Sequence, residues 1–318
     1  MAAFSQLHFI KGVQLRGYRG GVVAPRSLCS ARGLLVAGQL GRPAVHVWGP
    51  GTDQLQQKLP TVETGTALAC SPDSRFCAVG TGKGKVSLWE IASGRLMCSI
   101  ESAHYRRISA LRFTDDGAQL ISASHDATVR VWRVSELFER LHASVPGAMV
   151  PWHTWSDHTL PVTDIHCGFG GLTARVVTGS RDCSCKVWDL TSGELLRTFA
   201  FPSDVCAATM DPVEEFVYAG CGDGKIHRAN LRPRIQGSAL AQQPKVGSAD
   251  VSFIGHTLAV TCITISFDGC SLVSGSEDGK SSQRIFHPTT PRCSLFFSSS
   301  PLLSFPLLFA RFSAWWLY

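Results

Sequence analysis

The chain has 318 residues, 44% of them apolar and 17% charged, a balance that suits a packed core and excludes a disordered chain. Thirty glycines and sixteen prolines call for many turns, and long helical runs are scarce, which points away from an all-helical protein. Of the net charge of +6, four basic residues (Lys280, Arg284, Arg292, Arg311) follow Gly279 with no acidic partner, so residues 1–279 hold 26 basic against 24 acidic residues and carry no basic stripe for nucleic acid.

Residues 1–52 contain six basic residues and no acidic one, as a mitochondrial leader would. From about Leu15, however, the chain already reads as repeat structure, which leaves residues 1–14 as an atypical N-terminus. Four tryptophans then close similar short strands: AVHVW at Trp48, KVSLW at Trp89, TVRVW at Trp132 and CKVWDL at Trp188. Their spacings are 41, 43 and 56 residues, and a fifth slot 41 residues on holds Ala229 in GDGKIHRANL. A period of 40–45 residues is that of a four-stranded propeller blade.

Other parts of the repeat fall in register. His104, His158 and His256 open three units, and each is followed by an alternating strand: ISALRF, VTDIHC and VTCITI. Tight turns follow at SPDS (71–74), TDDG (114–117) and FDG (267–269). Small-residue strands then end at Asp126, Asp182 and Asp278, each six residues before a Trp slot. The expected fold is therefore all-β, a WD-repeat β-propeller over residues 15–280. Five blades and a partial sixth are legible, followed by a non-repeat tail.

Insertions separate some units. SELFERLH (135–142) predicts a short helix capped by Ser135, with Leu137, Phe138 and Leu141 on one apolar face. Residues 231–250 read as an exposed loop. Residues 281–318 read as an irregular, apolar, disordered tail. It is interrupted by Pro301, Pro306 and Arg311, so it lacks the unbroken apolar run of a membrane span.

Motifs that suggest chemistry have plainer readings. GTGKGKV (80–86) lacks phosphate-loop spacing and precedes a strand rather than a helix. HCGFGG (166–171) occupies a hairpin position that needs positive φ. Ser124, His125 and Asp126 are triad residue types, but neighbours in a strand point to opposite faces. Twelve scattered cysteines include no C-x-x-C pair. Cys183 and Cys185 are expected to pack together on one face of a strand, since two thiols fall short of a closed zinc set. Free buried thiols fit a reducing compartment. No catalytic, cofactor or metal residues are expected, and the chain reads as a non-enzyme.

The strings YRGG (18–21), DQLQQK (53–58), HYRRISALRFTDDG (104–117), LPVTDIHCGFGG (160–171), SGELL (192–196) and CAATMD (206–211) resemble the WD repeat-containing protein 18 family over about residues 15–279. The resemblance implies a propeller in which opening His, strand Ser or Thr, turn Asp and Trp share one buried hydrogen-bond network. Those residues would be His104, Ser122, Asp126 and Trp132, then His158, Thr178, Asp182 and Trp188, with His256, Ser274 and Asp278 in the sixth blade. The residues before each turn Asp (His125, Arg181, Glu277) would lie on a rim that contacts partners. The resemblance further implies a nuclear scaffold, nucleolar and nucleoplasmic with the cytoplasm as a further location, for pre-rRNA processing and large ribosomal subunit maturation. Its partners would be a proline-, glutamate- and leucine-rich scaffold protein, the testis-expressed protein 10 family and the ATPase midasin; no direct sequence-specific nucleic-acid binding and no membrane are expected. A generic adaptor for ubiquitin ligases or signalling, or a defective splice product, are the alternative readings. After SGSEDGK the family's Trp slot holds Arg284, and the family's final blade and charged C-terminal helix are absent. Open blade edges beside an apolar tail are expected to make this chain aggregation-prone and keep it out of the complex.

Overall fold

A computed structural model describes residues 23–31, 34–39, 43–49, 55–142, 149–231, 246–286 and 293–298. Six sheets, antiparallel save for one parallel strand at the edge of the fourth, follow one another along the chain. The first holds β1 (Val23–Ala31), β2 (Leu34–Gln39), β3 (Ala44–Trp48) and β4 (Leu55–Pro60). The second holds β5 (Gly65–Cys70), β6 (Phe76–Thr81), β7 (Val86–Glu90) and β8 (Leu96–Ile100). The third holds β9 (Ile108–Phe113), β10 (Gln119–Ser124), β11 (Val129–Arg133) and, after helix α1 (Val134–His142), β12 (His153–Trp155). The fourth holds β13 (Val162–Cys167), β14 (Arg175–Ser180), β15 (Ser184–Asp189) and β16 (Leu195–Ala200). The fifth holds β17 (Val205–Met210), β18 (Phe216–Cys221), β19 (Ile226–Asn230) and, past a short β20 (Val246–Ser248), β21 (Val251–Phe253). The sixth holds β22 (Val260–Ile265), β23 (Ser271–Ser276), β24 (Ser281–Phe286) and β25 (Cys293–Ser298).

The first strand of each sheet packs on the first strand of the next, in the series β1, β5, β9, β13, β17, β22. Among the described residues no comparable contact joins β22 back to β1. The inner strands are small and almost wholly buried, as in GTALAC and VCAATM, because two neighbouring sheets cover them. The outer strands β4, β8 and β16 alternate between exposed and covered residues, as solvent on one side requires. Apolar clusters lie between successive sheets. One joins Leu88 and Ile108 to Trp132, and another joins Val129 and Ile165 to Trp188.

A bulge recurs at the start of these inner strands. Thr66, Ser109, Thr163, Cys206 and Thr261 are each the extra residue where pairing with the second strand shifts. A bulge re-aims its side chain, and three of these hydroxyls reach the next sheet. Thr66 Oγ1 donates to the Ile108 carbonyl at 2.7 Å, Ser109 Oγ to Val162 at 2.6 Å and Thr163 Oγ1 to Val205 at 2.7 Å. The sheets are thus tied by hydrogen bonds as well as apolar contact.

Four expectations change. The segment read as an irregular tail supplies β24 and β25, paired antiparallel from Ser281↔Ser298 to Phe286↔Cys293, so the sixth sheet has four strands. β24 continues the hairpin that Gly279 (φ 73) turns, and it pairs through its backbone although Arg284 fills the Trp slot. Residues 287–292 and 299–318 of that tail lie outside the described residues, as do 1–14. Of the expected loop 231–250, Val246–Ser248 forms a strand parallel to β16. Helix α1 starts at Val134, which places Ser135 in its first turn rather than at the cap. Its Leu137 is buried, and its Phe138 ring lies 4.8 Å from that of Phe76, so the apolar face packs on the protein itself. Finally, Cys183 sits in a turn at φ 62, ahead of β15, while Cys185 is buried within it. The two thiols therefore do not share a strand face.

Candidate functional site

The chemistry-bearing residues gather around the turn between the second and third strands of the third, fourth and sixth sheets. In the third sheet, His104 Nε2 lies 2.8 Å from Ser122 Oγ and its Nδ1 3.1 Å from Asp126 Oδ2. Trp132 Nε1 donates to the same Ser122 Oγ at 3.0 Å. The carboxylate only accepts, so Nδ1 carries the proton and Ser122 donates to Nε2. In the fourth sheet His158 reaches Thr178 Oγ1 and Asp182 Oδ2, both at 2.8 Å, and Trp188 Nε1 donates to Thr178 at 3.0 Å. In the sixth, His256 meets Ser274 at 2.9 Å and Asp278 at 3.2 Å, without a tryptophan.

Each turn aspartate also holds backbone. Asp126 accepts from the Tyr105 and Thr128 amides, Asp182 from Thr159 and Ser184, and Asp278 from Thr257 and Lys280. One carboxylate thus ties the loop entering the sheet to the turn inside it. Burial opposes ionisation of Asp182, but hydrogen bonds from His158 and Ser184 outweigh it, holding the carboxyl well below its ordinary 3.8. Asp126 behaves the same way through His104 and Thr128.

A folded-state pKa below the unfolded one contributes stability that is present above the unfolded value and is lost as pH falls through the folded one. Asp182→Ala is therefore expected to cost about 1–3 kcal/mol at neutral pH, through unpaired buried donors. Thermal unfolding is expected to show the gap from wild type narrowing below about pH 4. An unchanged midpoint at pH 7 refutes the role assigned to Asp182.

These arrangements hold their groups in closed hydrogen bonds. Ser124 is buried and donates to the Arg106 and Arg107 carbonyls at 3.1 and 3.0 Å, apart from any nucleophile–base pair with His125. The GTGKGKV segment is a hairpin turn with Gly84 at φ 84, and its Lys83 pairs with Glu63 at 2.9 Å. In HCGFGG, Gly170 (φ 111) and Gly171 (φ 57) turn their amides onto Asp115 at 2.9 and 2.6 Å. That bond joins the hairpins of the third and fourth sheets, and sequence reasoning missed it because its partners lie 55 and 56 residues apart.

His125, Arg181 and Glu277 occupy one equivalent position. Each donates its amide to the loop leading into its own sheet: His125 to Arg107, Arg181 to Pro161 and Glu277 to Ala259. The Arg181 and Glu277 side chains are exposed, and His125 is half-buried. This edge also carries the exposed side chains of Tyr105, Leu160 and Leu258. It therefore offers charge and apolar surface together.

Among the described residues one set of donors lies outside these networks: Cys221, Asp223 and His227 in the fifth sheet, whose ligand atoms lie within 4.8 Å of one another. Sequence reading passed over it because the cysteine and histidine are six residues apart and become neighbours only across a hairpin. No helix among the described residues is long and apolar enough to cross a membrane.

Comparison with known proteins agrees with this architecture. The family pattern WDR54 matches residues 34–149, and the WD domain, G-beta repeat pattern matches 149–189 and 248–280. WD repeat-containing protein 18 of Rattus norvegicus is 37% identical over 290 residues, covering 91% of this chain and 65% of that protein. The Homo sapiens protein of the same name is 38% identical over 86% of this chain and 62% of its own length. The pre-rRNA-processing protein IPI3 of Yarrowia lipolytica is 33% identical over 79% of this chain and 58% of its own length. The chain thus spans less than two thirds of the length of these relatives. With the repeated sheets and their shared His–Ser/Thr–Asp network, these matches identify the chain as a WD-repeat protein similar to WD repeat-containing protein 18 over most of its own length.

Proposed function

We propose that the chain is a non-enzymatic, protein-binding scaffold of pre-rRNA processing and large ribosomal subunit maturation, working in the nucleolus and nucleoplasm. The observation that carries the reading is the fate of the reactive side chains. The histidine, hydroxyl and carboxylate groups of three sheets are spent on buried networks that hold each blade's shape. What remains presented is an edge of varied residues around Arg181 and Glu277. The pre-rRNA-processing name carried by relatives supplies the process. The partners consistent with it are a proline-, glutamate- and leucine-rich scaffold protein, the testis-expressed protein 10 family and midasin.

The test is affinity purification of the tagged chain from nuclear extract, with partners identified by mass spectrometry. Because the sixth sheet has four strands rather than a half-built blade, the expected exclusion from the complex gives way, and pre-ribosomal proteins are expected to copurify. Arg181→Glu is expected to weaken at least one partner severalfold while the unfolding free energy stays within about 0.5 kcal/mol of wild type, as for an exposed residue. Copurification unchanged for every partner refutes the edge as a contact surface. Absence of ribosome-assembly proteins altogether refutes the scaffold reading.

A further inference from the structure

The fifth sheet breaks the rule of its neighbours, and the break leaves ligands free. Phe201 stands where His104 and His158 stand, its amide bonded to Cys183 as that of His104 is to Gly84. Ala219 replaces the hydroxyl residue and Ala229 the tryptophan. Asp223 therefore has no histidine network to serve. It accepts the Lys225 amide at 3.1 Å and pairs with the Lys225 ammonium at 3.4 Å. At the position of Ser124, Ser180 and Ser276 stands Cys221, fully buried. His227, 5% exposed, occupies the place of Arg130 and Lys186. Its Nε2 is buried with no hydrogen-bond partner among the described residues.

Strand geometry explains why the three meet. β18 and β19 pair antiparallel with Ala219 opposite His227. Cys221, two residues from Ala219, shares its face, and Asp223 lies in the connecting turn. We infer that Cys221, Asp223 and His227 form a binding site for one divalent transition-metal ion of the zinc type, distinct from the structural networks.

The donor set is one thiol sulfur, one imidazole nitrogen and one carboxylate oxygen, the mixture zinc accepts. Tetrahedral zinc places its donors about 3.5 Å apart, so atoms already within 4.8 Å need small side-chain rotations and release of the Lys225 ammonium. Burial pushes His227 down, which keeps the imidazole in the neutral, ligating form. Burial, then Asp223, Cys206 and Asp204, push the Cys221 thiol up, and a bound cation supplies the positive charge that a thiolate there lacks. Three protein ligands leave a fourth position for water or for a donor from a partner at this edge.

The experiment titrates the purified, reduced, full-length chain with cobalt(II), whose thiolate complexes show a sulfur-to-metal charge-transfer band, and then displaces it with zinc. Two variants install residues that sister blades already carry: Cys221→Ser and His227→Arg. A third, Cys70→Ser, disrupts the separate thiol pair Cys29–Cys70, whose sulfurs lie 2.8 Å apart. One equivalent of cobalt is expected to bind with a charge-transfer band that zinc abolishes. Cys221→Ser is expected to lose the band, and His227→Arg to weaken binding more than about tenfold. Cys70→Ser is expected to change neither. Overturning results are no band in the wild-type chain, a band that survives Cys221→Ser, binding unweakened in His227→Arg, or a band lost in Cys70→Ser. The circular dichroism spectrum of each variant accompanies the titration. Should one serine or arginine variant misfold, the other decides.

Discussion

Replacing Trp188 by alanine is expected to destabilise the protein by about 3–5 kcal/mol, the range for removing a large buried aromatic side chain. The indole is 2% exposed and packs among Val129, Ile165, Val176 and Leu190 between the third and fourth sheets. Its ring stacks on Trp155 at 4.7 Å, 8° from parallel, and Trp155 in turn donates to the Gly193 carbonyl at 2.9 Å. Deletion opens a cavity across the seam and removes the donor that Thr178 accepts. Trp188→Phe keeps most of the packing and loses the N–H, so about 1 kcal/mol is expected from it. Urea unfolding of the three proteins measures both steps. A Trp188→Ala cost under about 1 kcal/mol would mean that the seam collapses to fill the void, and the packing argument fails.

The blades were legible from sequence where the repeat carried a chemical mark. His104, Ser122, Asp126 and Trp132 recur at fixed offsets because their network is local to one sheet, and the offsets survive in His158, Thr178, Asp182 and Trp188. Three kinds of feature escaped. β24 and β25 pair through backbone groups, which any side chains permit, so Arg284 in place of Trp gave no warning of a strand. The parallel pairing of Val246–Ser248 joins residues about fifty positions apart after a Pro-containing stretch, and no local pattern encodes such a contact. The ties between sheets were legible only in hindsight. Thr66, Ser109 and Thr163 each sit second in an inner strand, but the hydroxyl acts across the seam because a bulge turns it there. The Cys221–Asp223–His227 set shows the converse: a blade that reads as degenerate, with Ala229 for Trp, is the one whose polar residues are released from structural work.

A buried carboxylate is expected to strengthen the seam between the fourth and fifth sheets, beside the Thr163–Val205 hydrogen bond. Asp164, third in the inner strand VTDIHC, is 1% exposed, where an acidic side chain is rare unless held. Its Oδ2 accepts the Ala208 amide of β17 at 2.9 Å, and its Oδ1 accepts the Ile165 amide at 2.9 Å. Inner strands of neighbouring sheets face each other without a ladder, so an amide such as that of Ala208 needs an acceptor from the adjacent blade. Asp164→Ala removes that acceptor and two buried hydrogen bonds to a carboxylate, at an expected cost of roughly 2–4 kcal/mol. Asp164→Asn keeps one carbonyl oxygen and is expected to recover at least half of the loss. Hydrogen–deuterium exchange locates the effect. The Ala208 amide and its neighbours in β17 are expected to exchange faster in Asp164→Ala, while those of β9 and β10 stay protected. Equal protection of Ala208 in wild type and Asp164→Ala would show that this amide finds another acceptor, and that the carboxylate does not tie the two sheets.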